Sequence, residues 1–152
     1  MKVKIIHGPN LNQLGERDRE IYGHLSLEDI NQLILKRADE LGIKLDIFQS
    51  NHEGDIVDYI QQDYKDFAGI IINPAGLTHY SIVLRDALAL TELPIIEVHL
   101  SNIYSREEFR AKSVVSPIAD GVISGLGHHG YLYAVDGIYE LIRGGVANEK
   151  QD

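Results

Sequence analysis

An arginine and a tyrosine stand five positions apart in a long polar loop near the start of the sequence. Arg17 and Tyr22 follow the mostly apolar run 3–6, which is typical of a buried strand. A free tyrosine is a weak base because its pKa is about 10, but a fixed guanidinium beside it favours the phenolate. The pair could therefore supply a base at the end of a strand, where open α/β sheets bind ligands. A packed tyrosine and a surface arginine would explain the same residues.

Polar side chains also follow other predicted strands at the points where those strands end. In a flavodoxin-like strand order the first, third and fourth strands are neighbours, so these side chains should meet at one carboxyl edge. His99 is the candidate acid or base among them, and the others are neutral hydrogen-bonding groups. Each has an ordinary structural explanation by itself, and their coincidence at one edge favours a site. The residues expected there are Asn10, Asn12, Asn73, His99, Ser101 and Asn102.

Strands and helices alternate along the whole chain, and this alternation predicts one α/β domain over residues 1–152. The expected sheet has five parallel strands in flavodoxin-like order 2-1-3-4-5, with helices on both faces. Residues 16–24 are expected to form a lid loop and residues 147–152 a disordered tail. Ser26 and Thr78 are expected to cap the first and third helices. The predicted strands are 3–6, 44–49, 68–72, 93–99 and 121–124, and the predicted helices are 27–41, 55–64, 78–90 and 130–142.

Composition excludes several classes of protein. The 152 residues carry a formal net charge of -9, from 14 basic and 23 acidic side chains, which argues against a nucleic-acid surface. There is no cysteine, so thiolate metal sites and cysteine nucleophiles are excluded, and a reducing cytoplasm is the expected location. No apolar run approaches the length of a membrane span.

Neither a metal nor a cofactor is expected. Glu97 and His99 lie on one strand face and His128 precedes His129, but no HExxH or comparable ligand spacing occurs. The loop 8–15 lacks the Lys-Ser/Thr of a phosphate-binding loop. A base, an acid and neutral donors instead suit abstraction of a proton beside a carbonyl, followed by loss of a leaving group. The alternative is a flavodoxin-like binding or signalling module without turnover.

The sequence closely resembles the type II 3-dehydroquinate dehydratases over about residues 5–142. The resemblance rests on separated motifs in the family's order, which together are far more specific than any one of them. It also includes the spacing from Arg17 to Tyr22. The alternative of a module without turnover gives no reason for Arg17, Tyr22, His99 and Arg110 together. The motifs are GPNLN at 8–12, QSNHEG at 49–54, NPAG at 73–76, EVHLSN at 97–102 and REEFR at 106–110.

The resemblance implies a hydro-lyase of the shikimate pathway of aromatic amino-acid biosynthesis. The implied reaction removes water from 3-dehydroquinate through an enolate, giving 3-dehydroshikimate, with no metal and no Schiff base. Tyr22 matches the base, Arg17 the residue that keeps this tyrosine ionised and stabilises the transition state, and His99 the proton donor. The implied assembly is a dodecamer of four trimers.

The same resemblance assigns the remaining site positions. Asp86 matches a residue that reaches a neighbouring subunit's site. It also lies among apolar residues of the predicted third helix, where an unpaired buried charge would be costly. Gln13 and the pair Asp18-Arg19 depart from the usual pattern, and the missing proline there should widen the lid's unfolded ensemble. The implied substrate-binding residues are Asn73, His79, Asp86, Leu100, Ser101 and Arg110, with Asn10, Asn12 and Glu97 in support.

Overall fold

Five parallel strands form the centre of the protein. The computed structural model describes residues 1–16, 20 and 23–144, and its sheet has the order β2-β1-β3-β4-β5 with every pairing parallel. The predicted fold class is confirmed. Because parallel strands are covered on both faces, β3 and β4 are buried along their whole length, as their continuous apolar runs require. The strands are β1 Lys2–His7, β2 Lys44–Gln49, β3 Gly69–Asn73, β4 Ile95–His99 and β5 Gly121–Ser124.

Four helices of eight residues or more cover the two faces of this sheet within the described ranges. Helices α1 and α4 pack together over one face, and α2 and α3 pack together over the other. No helix of the described residues is long and apolar enough to cross a membrane. The helices are α1 Leu27–Glu40, α2 Glu53–Gln61, α3 Ile82–Thr91 and α4 His129–Gly144, and short 3-10 turns lie between several elements.

The helix ends show where local sequence was a sufficient guide. Ser26 caps α1 as predicted, in a capping box with Asp29. The predicted cap at Thr78 is wrong: Ser81 caps α3 by accepting a hydrogen bond of 3.0 Å from the Leu84 N–H. Thr78 lies instead in the 3-10 turn Ala75–His79, with its side chain fully buried. Helix α2 ends earlier than predicted, because Gln62 already has an extended backbone with ψ of 118°; Asp63 follows with a positive φ of 48°.

The ends of β1 and β3 approach each other closely. The Gly8 N–H donates to the Asn73 carbonyl at 2.8 Å, which extends the pairing by one residue beyond His7 and Asn73. A Cβ atom at Gly8 would lie 2.5 Å from the carbonyl oxygen of Pro74. Only glycine fits here without moving the backbone, so this residue brings the loops after β1 and β3 to one edge of the sheet.

Candidate active site

A cavity of about 200 Å³ lies at the carboxyl edge of the sheet, between the loops that follow β1, β3 and β4. This is where the strand order placed the polar side chains. The cavity is bounded by an acid–base side chain, amides and two arginines, Arg106 and Arg110. The predicted residues that line it are Asn10, Asn73, His79, His99, Leu100, Ser101 and Arg110.

His99 lies at the end of β4 with 4% of its surface exposed. Its Nε2 atom is 2.8 Å from Oε1 of Glu97, which is on the same strand two residues earlier and is completely buried. An ionised carboxylate can only accept hydrogen bonds, so Nε2 must carry a proton. The Nδ1 atom is then the ring nitrogen left for a ligand in the cavity.

Glu97 is held as an anion by the groups around it. Burial alone would raise the pKa of this carboxyl, but hydrogen bonds from His99, Ser116 and Thr78 outweigh burial and lower its pKa to about 2. Ser113 donates a further hydrogen bond at 2.9 Å. The result is a fixed negative charge in contact with His99 in the wall of the cavity.

Asn73 is fixed by its own backbone and by the core behind it. Its Oδ1 atom accepts the Ala75 N–H at 3.1 Å, and its side-chain amide hydrogen-bonds the hydroxyl of Tyr131. The Tyr131 hydroxyl lies 2.8 Å from Nδ1 of His7, whose Nε2 is 2.9 Å from Oδ1 of Asn31. Burial lowers the pKa of His7 to about 4, and the Asn31 contact only partly offsets this. A neutral His7 therefore donates to Asn31 and accepts from Tyr131.

The open side of the cavity carries the positive charge that an acidic chain needs to bind an anion. Arg110 lines it, with Nε bonded to Glu107 at 2.6 Å, and Arg106 lies beside it with Nη1 at 3.5 Å from the Ser101 hydroxyl. His79 donates from Nδ1 to the Lys112 carbonyl at 2.7 Å, which leaves Nε2 as its acceptor. Two guanidinium groups therefore lie at the cavity of a chain whose formal net charge is -9.

Several predicted residues do not meet at this cavity. Asn12 is exposed on the 3-10 turn Leu11–Gln13 and does not line the cavity. Asp86 is exposed on α3 in the single chain, and its predicted contact with a neighbouring subunit stays a prediction. Arg17 and Tyr22 lie outside the described residues, and so does the predicted tail at 147–152.

The sequence did not identify the groups that lie behind the residues lining the cavity. Thr78 was assigned to a helix cap, and Ser113 and Ser116 gave no signal because isolated serines are common on surfaces and in turns. His7 directly follows the predicted first strand, and nothing in the local sequence marks it as part of a site. Arg106 stands in the same motif as Arg110 and could have been proposed from it. Within the described part of the chain, no group of three histidine or acidic side chains could hold a metal ion.

Fold and site together define an α/β enzyme with an acid–base pair at the carboxyl edge of a parallel sheet. The chain belongs to the class II dehydroquinase family, whose sequence profile matches residues 1–139. It is 60% identical over 144 residues to the 3-dehydroquinate dehydratase of Halothermothrix orenii, which covers 95% of this chain and 97% of that relative. It is 54% identical over 136 residues to the 3-dehydroquinate dehydratase of Roseiflexus castenholzii, covering 90% and 87%.

Solved structures agree with this membership. The crystal structure of the type II dehydroquinase from Butyrivibrio crossotus superposes with a TM-score of 0.89 at 46% identity, covering 91% of this chain and 97% of that one. The type II dehydroquinase from Propionibacterium acnes gives a TM-score of 0.87 at 39% identity, covering 91% and 95%.

Proposed function

We propose that this site removes water from 3-dehydroquinate, through an enolate intermediate, to give 3-dehydroshikimate in the shikimate pathway. The observation that carries the proposal is the hydrogen bond between His99 and the buried, ionised Glu97. His99 and Asn73 line the same cavity at the carboxyl edge of the sheet. It stands in a chain of the dehydroquinase family. The enzyme is a hydro-lyase, and the reaction needs one base, one acid and donors for the enolate oxygen.

Tyr22 is the base in this proposal, and Arg17 is the residue that makes it one. A tyrosine with a pKa of about 10 is ionised in only about one molecule in a thousand at pH 7. Each unit by which Arg17 lowers that pKa is worth about 1.4 kcal/mol in favour of the phenolate. The spacing of the two residues and the family resemblance support these roles. A lid formed by residues 16–24 would also exclude water and strengthen the pairing.

His99 is the acid that protonates the departing hydroxyl. The carbon–oxygen bond breaks, the electron pair leaves with the oxygen, and the proton from Nδ1 of His99 completes a water molecule. The position of Glu97 supports this role, because it occupies Nε2 and stabilises the imidazolium. The ring is held by β4 and needs little rearrangement to act.

Substrate binding is assigned to the polar and cationic rim. Asn73, His79, Leu100, Ser101 and Arg110 lie at the cavity, which supports their proposed contacts with the substrate. Arg110 and the backbone N–H groups of Leu100 and Ser101 would supply the positive potential for a carboxylate. Asn10, at the cavity, and Asn12, on the following turn, would order the loop on the substrate side.

Assembly into a dodecamer of four trimers belongs to the same proposal, with Asp86 reaching the site of a neighbouring subunit. Asp86 lies on a face of α3 that exposes Ile82, Val83 and Leu90, at 55%, 56% and 72% of their surfaces. Apolar side chains exposed this far are typical of an interface. Sedimentation should show a species much larger than 17.0 kDa, and an active monomer would contradict the assembly. A cytoplasmic location, which the absence of cysteine supports, is also part of the proposal.

Steady-state turnover of 3-dehydroquinate tests the mechanism, because the conjugated enone of the product absorbs ultraviolet light where the isolated ketone does not. Tyr22→Phe keeps the ring and removes the proton acceptor, so turnover should collapse while circular dichroism stays unchanged. Arg17→Ala should lower turnover, and Arg17→Lys should restore it only in part because an ammonium lacks the planar fork. Tyr64→Phe, at the opposite edge of the sheet, is the matched control.

Near-normal turnover in Tyr22→Phe would remove Tyr22 from the role of base. Binding of 3-dehydroquinate without any absorbance change in the unaltered protein would favour the alternative of a flavodoxin-like binding module. Calorimetric titration of the same sample separates these two results.

A further inference from the structure

Three hydroxyl groups surround the buried carboxylate of Glu97. Thr78 comes from the 3-10 turn Ala75–His79, Ser113 from the loop after the cavity rim, and Ser116 from the 3-10 turn Ser116–Ile118. Thr78 and Ser113 donate to Oε1, the same atom that His99 contacts, and Ser116 donates to Oε2. Four donors therefore converge on one carboxylate that is completely buried.

The direction of these hydrogen bonds is fixed by the backbone around Ser113. Its Oγ atom accepts the N–H groups of Val115 at 3.1 Å and Ser116 at 3.0 Å, which occupies both of its lone pairs. The Ser113 hydroxyl proton therefore has to be donated, and its acceptors are Oε1 of Glu97 at 2.9 Å and the Thr78 hydroxyl. Thr78, 2.7 Å from Ser113, then directs its own proton to the same carboxylate.

A shared proton across the contact of 2.8 Å between Glu97 and His99 could lie on either residue. Burial favours the uncharged pair, in which Glu97 is protonated and His99 is neutral. Donors to the carboxylate favour the charged pair, in which the proton stays on His99. Both forms carry a proton on Nδ1, but only in the charged pair does it belong to an imidazolium, which is a far stronger acid. In the neutral pair, Nδ1 can release its proton only if Glu97 returns the shared proton to Nε2 in the same step.

We propose that Thr78, Ser113 and Ser116 are positioning residues for the reaction, because their hydroxyl groups keep the proton of the Glu97–His99 pair on His99. This inference rests on the proposed function, since it concerns the acid of that reaction. The three residues do not touch the cavity; they act through Glu97. Loss of their donors should convert part of the enzyme into a neutral pair that binds substrate but protonates the leaving hydroxyl more slowly, because Nδ1 of a neutral imidazole is a weaker acid.

Other ionisable groups near the cavity are too poorly placed to do the same. Across the described residues, His99 is the one titratable side chain that forms a hydrogen bond or ion pair with Glu97. His79 is turned to the Lys112 carbonyl and Arg110 to Glu107. The Arg106 guanidinium is 3.5 Å from the Ser101 hydroxyl. The charge state of Glu97 thus depends mainly on its hydroxyl donors and His99.

The test removes two hydroxyl groups and observes Glu97 directly. In the Thr78→Val, Ser116→Ala double variant, infrared spectroscopy should show a protonated carboxylic acid at neutral pH. The band is assigned to Glu97 by its disappearance when Glu97→Gln is added. The unaltered enzyme should show that band only in strong acid. The kcat of the double variant should fall about tenfold for each unit by which the pKa of Glu97 rises relative to that of His99, and KM should change less than about twofold.

Matched variants separate this role from a merely structural one. Thr78→Ser keeps the hydroxyl and should recover most of kcat, whereas Thr78→Val should not. Thr91→Val removes another buried threonine hydroxyl, one that donates to the Leu88 carbonyl at 2.8 Å, and should alter neither the infrared band nor kcat. If Thr78→Val does not fold, Ser116→Ala carries the test, because Ser116 is only half-buried.

Two results would overturn the inference. One is a double variant whose Glu97 stays ionised at neutral pH, and the other is a protonated Glu97 with normal kcat. The infrared measurement does not require turnover. A protein that fails to convert 3-dehydroquinate would therefore contradict the proposed function and still give an answer about the hydroxyl groups.

Discussion

Two central strands each carry a buried charged side chain, and the fold uses these two buried charges in different ways. Lys4 on β1 is 1% exposed, and its Nζ atom donates to the carbonyls of Tyr59 at 2.7 Å and Gln62 at 2.8 Å. The same atom lies over the rings of Tyr59 and Phe67, at 4.0 and 4.4 Å from their centroids. Glu97 on β4 is completely buried as well, but its partners are three hydroxyl groups and His99.

The partners decide what each charge can do. Lys4 is bonded to carbonyls at the C-terminal end of α2 and lies over aromatic faces, and the carboxylates of Asp46 and Asp63 are near enough to interact with its charge. None of these groups lines the cavity, so the role of Lys4 is to satisfy the C-terminal end of α2. The neighbour of Glu97 is an imidazole in a cavity wall, so its charge affects a group that can react. Burial of a charge alone therefore does not distinguish a functional site; a bond to a titratable group that faces a cavity makes the position a candidate.

The largest expected effect is on turnover. Glu97→Gln keeps the shape of the side chain and removes the negative charge that contacts His99. Because general acids contribute about 10²–10⁴-fold to rates, kcat should fall by at least about 10²-fold. Glu40→Gln, at an exposed position of α1, should leave kcat unchanged. Steady-state assays of both variants make the comparison, and normal kcat in Glu97→Gln would remove the distinction between the two buried charges.

The next effect is the loss of stability in acid. The pKa of Glu97 is about 2 in the fold and 4.5 in an ordinary setting, so the unfolded chain binds more protons between these values. Stability from Glu97, about 3 kcal/mol, should be complete above pH 4.5 and be lost as pH falls towards 2. Urea unfolding across this range should show a shallower loss in Glu97→Gln than in the unaltered protein.

Protonation linked to His7 should also lower stability as pH falls, but it should begin at a higher pH than the loss caused by Glu97. Its pKa is about 4 in the fold and 6.5 in an ordinary setting, so the unfolded chain again binds the extra proton. Stability should therefore begin to fall below pH 6.5 in the unaltered protein and in Glu97→Gln alike. An equally steep loss below pH 4.5 in both proteins would contradict the low pKa of Glu97.

Lys4→Met should reduce stability without affecting chemistry. The substitution leaves two helix-end carbonyls without their donor, which costs about 2 kcal/mol. Turnover per folded molecule should stay normal, because Lys4 is not among the residues that line the cavity. Lys2→Met is the matched control: Lys2 is exposed on the same strand, with its Nζ 4.5 Å from the Phe67 ring centroid, and its loss should matter less. Chemical denaturation and assays of both variants provide the measurement, and lowered kcat in Lys4→Met would contradict its assignment.

The smallest effect is expected for an exposed charge. Arg37 on α1 pairs with Glu40 and with Asp136 of α4, both at 2.7 Å. Water already solvates these groups, so Arg37→Ala should lower the melting temperature less than Lys4→Met does, and the difference should shrink in high salt. Thermal unfolding at two salt concentrations tests this. A loss larger than that of Lys4→Met would show that burial is not what makes Lys4 important.

The order and type of the elements could be predicted from the sequence because their signals are local. The apolar run that became β3 and the capping box of Ser26 and Asp29 depend on residues within a few positions of each other. Alternation of strands and helices then fixed the parallel sheet, and the sheet order placed Asn73 and His99 at one edge. The family resemblance added the assignment of His79 and Arg110 to that edge.

Only the tertiary structure decided which side chains lie behind the cavity at the carboxyl edge of the sheet. Threonine is a common helix-capping residue, yet the Thr78 hydroxyl hydrogen-bonds a carboxylate 19 positions later. Ser81 caps α3 instead, and the turn before it directs Thr78 inward. Ser113 reaches the same carboxylate across 16 positions. Asp86 likewise proved exposed, although its neighbours suggested burial. Sequence spacing determines contacts within a helix or strand, but contacts between distant segments depend on packing, which no local pattern specifies.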